Sequence, residues 1–484
     1  MKIAIIGADV AGISVMKSLS NHVKSHGIGN TYLDGTVYEP EKMGGLAYQT
    51  KSNACLLNLP AGIMSIDSSN SSCFLQWLNK NNIPTHSIPR YIFGNYLKEQ
   101  YNKLINESNP WIRFNSKEQA VKKISKIGKL FKVYTFNNFD IVDKVVLFAG
   151  HSEPTSLIEQ TENSNYINNP WKYDFTKIDK HNSIAIVGTR LTAFDVVKKL
   201  FYNGHKGPIT LFSRTNNPPH VRSLVSSPIP LKYLRWDVIE SLKDNHGHVP
   251  LEKVIELLSH ELSNSGDSFL LSSEKVTCPS TFIASQLDLA KSASPDQEIL
   301  SALYRSKLID LIWMRLSSKD KSYFYENFHS KWMCLAHPIT FENGVFLNDA
   351  IESGYVQIEK GLKEIKEDYV YGFRLITQKS LDFDYVANCT GMSKSIKKHK
   401  SSLLCSIDTD DNLLENHFGG IDINPYNLQV ISKNGEETTG FYANGAITCG
   451  VFFSAFATIH AVRNSFSIAN NILSDLNIEQ RASA

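Results

Sequence analysis

The chain has 484 residues and a formal net charge of +2, enough length for two or three domains with cores of their own. The near-neutral balance gives no support for a nucleic-acid partner, and no apolar run is long enough to span a bilayer, so no membrane partner is expected. Seven cysteines are scattered without a C-x-x-C pair, which argues against dithiol chemistry and suits a reducing cytoplasm.

The chain enters directly on a buried-strand pattern, Lys2-Ile-Ala-Ile-Ile6, which leaves no room for a signal peptide. Gly7 then opens a turn, and a helix-period segment follows through Gly12. A second strand, Thr36–Tyr38, ends at Glu39. The same order recurs at Ser183-Ile-Ala-Ile-Val187, where Gly188 aligns with Gly7 and Ala193 with Gly12. There the second strand, Ile209–Phe212, is followed by Ser213 and Arg214. Each run is the opening βαβ of a dinucleotide fold. The turn must be tight, so glycine leads it, and the helix N-terminus then offers free N–H groups to a pyrophosphate. A carboxylate at Glu39 suits ribose hydroxyls, whereas a cation at Arg214 suits the 2′-phosphate of NADPH.

Lys144–Gly150 and Tyr385–Gly391 are buried strands ending in small residues, and they read as crossings between two nucleotide domains. Gly440–Ala446 is a third such strand, and a long helix to about Leu473 is expected after it. Helical periodicity between, for example as in Ile299 to Leu316, marks an inserted helical region. The prediction is an α/β chain of two Rossmann-like dinucleotide-binding domains. A discontinuous FAD domain would span 1–175 and 380–484, and an inserted NAD(P) domain 176–379, with a helical insertion at about 220–340.

Further segments match a family. They are Val37-Tyr-Glu-Pro40, Gly44-Gly-Leu-Ala-Tyr48, Leu56-Leu-Asn-Leu-Pro-Ala61, Pro89-Arg90 before Phe93-Gly-Asn-Tyr96, Ala149-Gly-His151 and Asn169-Pro-Trp171. With both glycine turns, the chain resembles bacterial FAD/NAD(P)-binding oxidoreductases, flavoproteins with two dinucleotide domains that are distantly related to flavin-dependent N-hydroxylating monooxygenases. The match covers most of the chain and thins between about 225 and 330. The resemblance implies that Gly45, Leu46, Tyr48 and Asn58 line the flavin and that Arg90 supports it. Gly150, Gly391 and Gly445 would stand at strand ends beside the cofactors, and Gly188, Arg190, Thr192 and Ser213 on the NADPH side. It implies FAD and NADPH as cofactors, molecular oxygen as co-substrate and a small soluble metabolite, such as an amine or amino acid, as substrate.

The chain also departs from that pattern. Asp9 and Arg190 replace the middle glycine of each turn, which lets the backbone approach the pyrophosphate. At ~5 Å and an effective dielectric of ~20, an Asp9 charge would repel each phosphate charge by roughly 3 kcal/mol, less if it faces water or holds a cation. Arg190 could swing out and pair with phosphate. Ala446 stands where many FAD enzymes carry an acid. His151 and His337 are the catalytic candidates, able to hydrogen-bond substrate or flavin, although a lone histidine is more often structural. His220 and Arg222 extend the phosphate site or form a solvated loop, and His460 reads as core. No H-E-x-x-H or Cys/His cluster suggests a metal. The Phe-x-Gly-x-x-x-His fingerprint of Baeyer–Villiger enzymes is missing, which disfavours carbonyl oxygenation. Three readings stay open: a flavin monooxygenase, an NAD(P)H-dependent flavin reductase or dehydrogenase, and a non-catalytic relative.

Overall fold

The structure, a computed structural model, describes every residue except 29–30, 41–42, 151–152, 160, 214–217, 263–275, 277, 369, 371, 397–402, 404–412 and 484, and describes no side chain beyond 476. The chain divides into two compact units. The first comprises Met1–Lys51, Leu59–Glu153 and Met392–Ala484; the second comprises Ser52–Asn58 and Pro154–Gly391.

The first unit is built on a six-stranded sheet. Its strands lie in the order Gln429–Ile431, Glu437–Ala443, Lys144–Leu147, Lys2–Ile6, Leu33–Tyr38 and Ile112–Lys117. Only the outermost, Gln429–Ile431, runs antiparallel to its neighbour. Ile3 to Ile6 are all buried, as a parallel strand covered on both faces requires. The opening helix, Val10–His26, packs against the C-terminal helix, Thr458–Ser483. A three-stranded antiparallel sheet, Lys123–Ile127, Leu130–Tyr134 and Phe139–Val142, belongs to the same unit.

The second unit repeats the design with five parallel strands: Val356–Lys360, Ile209–Ser213, Ile184–Val187, Tyr385–Asn388 and Tyr166–Ile167. The helix Leu191–Tyr202 covers its core. The stretch from Trp236 to Ala336 is helical wherever it forms regular structure among the described residues, and Phe341–Glu352 then leads into the strand Val356–Lys360. The α/β architecture with two parallel nucleotide-type sheets and a helical insertion is therefore as expected.

Three details differ from the sequence reading. The units divide at 153/154 and 391/392, because the strand Tyr166–Ile167 pairs with Tyr385–Asn388 in the second sheet. At the first junction, the Ser393 amide donates to the Glu153 carbonyl at 3.2 Å. The C-terminal helix starts at Thr458 rather than just after Ala446, with turns between. Gly450 sits in that turn region against Asn416, whose Oδ1 would lie 2.1 Å from an added β-carbon. Finally, Ile299 to Leu316 is two helices, since Lys307 takes a left-handed φ of 66° and breaks the run.

Candidate functional site

In the first unit Gly7 has a φ of +101°, and a β-carbon there would meet the Phe148 carbonyl oxygen at 2.3 Å. Gly12 closes the turn from the helix side, where a β-carbon would lie 2.1 Å from the Gly7 oxygen. Only glycine allows helix, turn and neighbouring strand to approach this closely. The Gly7 amide donates to Tyr38 O at 2.9 Å, which ties the turn to the second strand. Glu39, one residue on, accepts from the Ala8 amide at 2.8 Å. Asp9 is the helix N-cap: its carboxylate accepts from the Ala11 amide at 2.9 Å and the Gly12 amide at 3.2 Å. This is a local role that weighing Asp9 only as a charge overlooks.

The Gly44–Tyr48 loop folds against that turn. The Gly44 amide donates to Ala8 O at 3.1 Å, and a β-carbon on Gly45 would touch the Asp9 side chain at 3.4 Å. Leu46–Tyr48 is a single helical turn. The Tyr48 ring meets Phe93 edge-on at 5.0 Å. Gly94, inside the helix Arg90–Ile105, lets that helix pass against the Tyr48 carbonyl, 2.4 Å from where its β-carbon would be. Burial raises the Tyr48 phenol above its usual value, the Arg90 charge and a hydrogen bond with Thr458 work the other way, and Asp9 adds to the rise. Asp9, Tyr48 and Arg90, drawn from three parts of the sequence, thus share one neighbourhood.

A groove of the same unit is lined by Ala149, Gly150, Met392, Lys394, Ala446 and Cys449, among others. It lies where the strands Lys144–Leu147 and Glu437–Ala443 end, the end at which parallel sheets bind ligands. Gly150 and Gly445 both have positive φ with open space around the Cα. Asn444 fixes this corner by accepting from the Gly445 amide at 2.7 Å and donating to Ala461 O at 2.7 Å. Burial holds the Lys394 ammonium below its ordinary value. Sequence reasoning singled out neither Lys394 nor Asn444. A glycine inside a helical pattern was the one available signal for Gly94.

The second unit repeats the turn. Gly188 has a φ of +127°, and a β-carbon there would lie 2.5 Å from the Cys389 carbonyl oxygen. Its amide donates to Phe212 O at 2.8 Å, the counterpart of the Gly7–Tyr38 bond. Arg190 opens the helix Leu191–Tyr202 without a side-chain cap. Its guanidinium donates instead to Ser330 O at 3.0 Å and Ser330 Oγ at 3.2 Å. Thr192 lies in the first turn of that helix, partly exposed. Ser213 ends the second strand and accepts from the Gly361 amide at 2.8 Å, and Gly391 has a φ of +96° with open space around it. Arg214 and His151 lie outside the described residues.

His337 ends the helix His329–Ala336. Burial pushes its imidazole down to about 4, and the charges of Arg190 and Arg222 add to that shift. Arg222 is itself pushed down to about 10 by burial, with Glu298 acting in the opposite direction. Its Nε donates to the backbone carbonyl of Asn58 at 2.9 Å. Asn58, which the resemblance set beside the flavin, therefore packs in the second unit, where its side-chain Oδ1 is buried without a partner among the described residues. His220 falls to about 4 through burial, partly offset by a hydrogen bond with Gln286. Burial thus favours the neutral form of both His337 and His220. His460 is buried, its ring nitrogens 2.9 Å from Ser454 Oγ and 2.9 Å from Asn464 Nδ2, in line with a core role.

A family model described as FAD-NAD(P)-binding matches residues 4–152, the stretch that holds the first glycine turn, Glu39 and the Ala149-Gly150 strand end. This stretch is an FAD-NAD(P)-binding domain. No curated protein matches the chain in sequence. Solved structures share its fold over nearly the whole length. The ornithine hydroxylase of Pseudomonas aeruginosa aligns with a TM-score of 0.59 at 12% identity, covering 98% of this chain and 99% of that one. The ornithine N-hydroxylase of Kutzneria sp. 744, solved with reduced FAD, NADP+ and L-ornithine, gives 0.58 at 13% identity and covers 99% of both chains. The bacillithiol disulfide reductase of Staphylococcus aureus gives 0.53 at 12% identity and covers 98% of both. At these identities the likeness establishes the fold alone. Among the described residues no helix is long and apolar enough to cross a membrane.

The first unit fits a dinucleotide such as FAD at most points. The cradle at Gly7 and Gly12 would be filled by any β-carbon, Glu39 stands at the end of the second strand, and an open groove flanks Gly150 and Gly445. Asp9 is the exception, because it already occupies two amides of the turn.

Proposed function

We propose that the chain is an FAD- and NADPH-dependent monooxygenase that oxidises a small soluble amine or amino acid, by N-hydroxylation, in a reducing cytoplasm. The observation that carries this reading is the pair of glycine turns built alike in two units, on the fold shared with two ornithine hydroxylases. Gly7, Gly12 and Glu39 would hold the adenosine-diphosphate end of FAD, and Tyr48, Arg90, Gly45 and Leu46 would shape the wall beside it. Gly188, Thr192, Ser213 and Arg214 would hold NADPH. Bound flavin supplies the redox and oxygen chemistry, so the protein needs no nucleophile of its own. Its residues orient the two cofactors and exclude water, and a neutral His337 would accept a hydrogen bond from the amine.

A reductase without oxygen insertion is the second reading, favoured by the equal coverage of the bacillithiol disulfide reductase. Against its dithiol form stands the spacing of the cysteines, none of which forms a C-x-x-C pair. The deciding experiment supplies the purified chain with FAD, NADPH and oxygen, and compares NADPH oxidation with and without a panel of amines and amino acids. Monooxygenation predicts substrate-dependent oxygen uptake matched by hydroxylamine product. NADPH oxidation that no amine accelerates, with no hydroxylated product, sinks the proposal in favour of the reductase.

A further inference from the structure

The two turns differ in who occupies their amides. In the second unit, the residue ahead of the helix is Arg190, which makes no side-chain cap and points its guanidinium to Ser330. In the first unit, the amides of Ala8, Ala11 and Gly12 all donate to carboxylates of the chain itself. Glu39 takes the first and Asp9 the other two. Such amides are the groups with which a helix N-terminus receives a pyrophosphate.

We infer that Asp9 is an internal competitor for the turn amides, a specificity-determining residue that selects against phosphate-bearing ligands in the first unit until its carboxylate is displaced. The inference rests on the reading of this unit as the FAD site. Two effects combine. The Asp9 carboxylate satisfies donors that a phosphate would otherwise use, so binding exchanges one charge-assisted bond for another instead of adding a new one. Its negative charge also lies within the turn where the phosphates would sit. The loop above runs close by, since a β-carbon added to Gly45 would come within 3.4 Å of the Asp9 side chain. Asp9 itself has φ −84° and ψ −166°, extended backbone that any residue adopts. Substitution there frees the amides without straining the chain, and glycine is itself a tolerated N-cap.

The test compares wild type, Asp9→Asn and Asp9→Gly, each as the full chain and each checked by a thermal melt. FAD and riboflavin binding are followed by flavin fluorescence, and NADPH binding by calorimetry. Competition predicts that Asp9→Gly tightens FAD by about ten- to a hundredfold. Asp9→Asn, which keeps an acceptor but loses the charge, should gain less. Riboflavin, which has no phosphate, should not move, nor should NADPH in the second unit. Unchanged or weaker FAD binding in Asp9→Gly overturns the inference, as does a gain for riboflavin equal to that for FAD. If no variant binds FAD while all bind NADPH, the reading of the first unit as a flavin site falls, and the inference with it.

Discussion

Gly7 and Phe148 are in such close contact that a single β-carbon would overlap the Phe148 carbonyl, and Gly188 stands in the same relation to Cys389. In both units the first glycine of the turn is pressed between its own strand and the end of the adjacent parallel strand, Lys144–Leu147 in the first and Tyr385–Asn388 in the second. Gly7→Ala and Gly188→Ala should each cost at least about 2 kcal/mol, from positive φ and overlap together. Urea unfolding monitored by circular dichroism checks this. Either variant with wild-type stability would show that the turn relaxes freely.

His220 and His337 make stability pH-dependent. In an unfolded chain a histidine takes up its proton near pH 6.5, whereas these two do so near 4 in the folded second unit. Between those values the unfolded state binds more protons, so stability falls as the pH drops from about 6.5 to about 4. Each contributes up to about 3 kcal/mol of that loss. His337→Gln should flatten the slope by about half. An unfolding midpoint in urea that is constant between pH 6.5 and 4.5 in wild type would refute the buried, neutral state of both rings.

Arg190 should matter more for folding than for binding. Arg190→Gly removes the donors to Ser330 at a cost of about 1–2 kcal/mol. It also gives the backbone room at the turn, so NADPH affinity should shift by less than about tenfold. A thermal melt and an NADPH titration separate the two effects. A larger loss of NADPH affinity would make Arg190 a phosphate ligand.

Coenzyme preference should lie in Arg214, one residue past the strand Ile209–Ser213. A charge-assisted bond to a 2′-phosphate is worth roughly 1.5–3 kcal/mol, about ten- to a hundredfold in favour of NADPH. Arg214→Ala should erase the preference while leaving NADH binding intact. Equal dissociation constants for NADH and NADPH in wild type would remove Arg214 from the site.

The two glycine turns were legible in the sequence because close backbone approach admits one residue type, and a strand–glycine–helix order is local. The helical insertion was legible by its period, and His460 as core by its apolar surroundings. Asp9 had a readable signal that pointed elsewhere: an aspartate at a helix start is an N-cap before it is a misplaced charge. Lys307 gave no warning of a left-handed backbone. The meeting of Asn58, Arg222 and His337 could not be read at all. Those residues are more than a hundred positions apart in sequence, and only tertiary packing decides that Arg222 finds the Asn58 carbonyl.

The bond between the Ser393 amide and the Glu153 carbonyl has a consequence for how such a chain can be cut and rejoined. Departure and return of the long inserted segment lie one hydrogen bond apart, so excising 154–391 leaves two ends that a linker of a few residues can bridge. The first unit could then be produced as a single shortened polypeptide. The reverse excision is harder: a fragment of 154–391 alone would lack Ser52–Asn58, leaving Arg222 a buried cation without its carbonyl partner. The first unit should therefore survive excision of 154–391, whereas that segment also needs the seven residues Ser52–Asn58 from earlier in the chain.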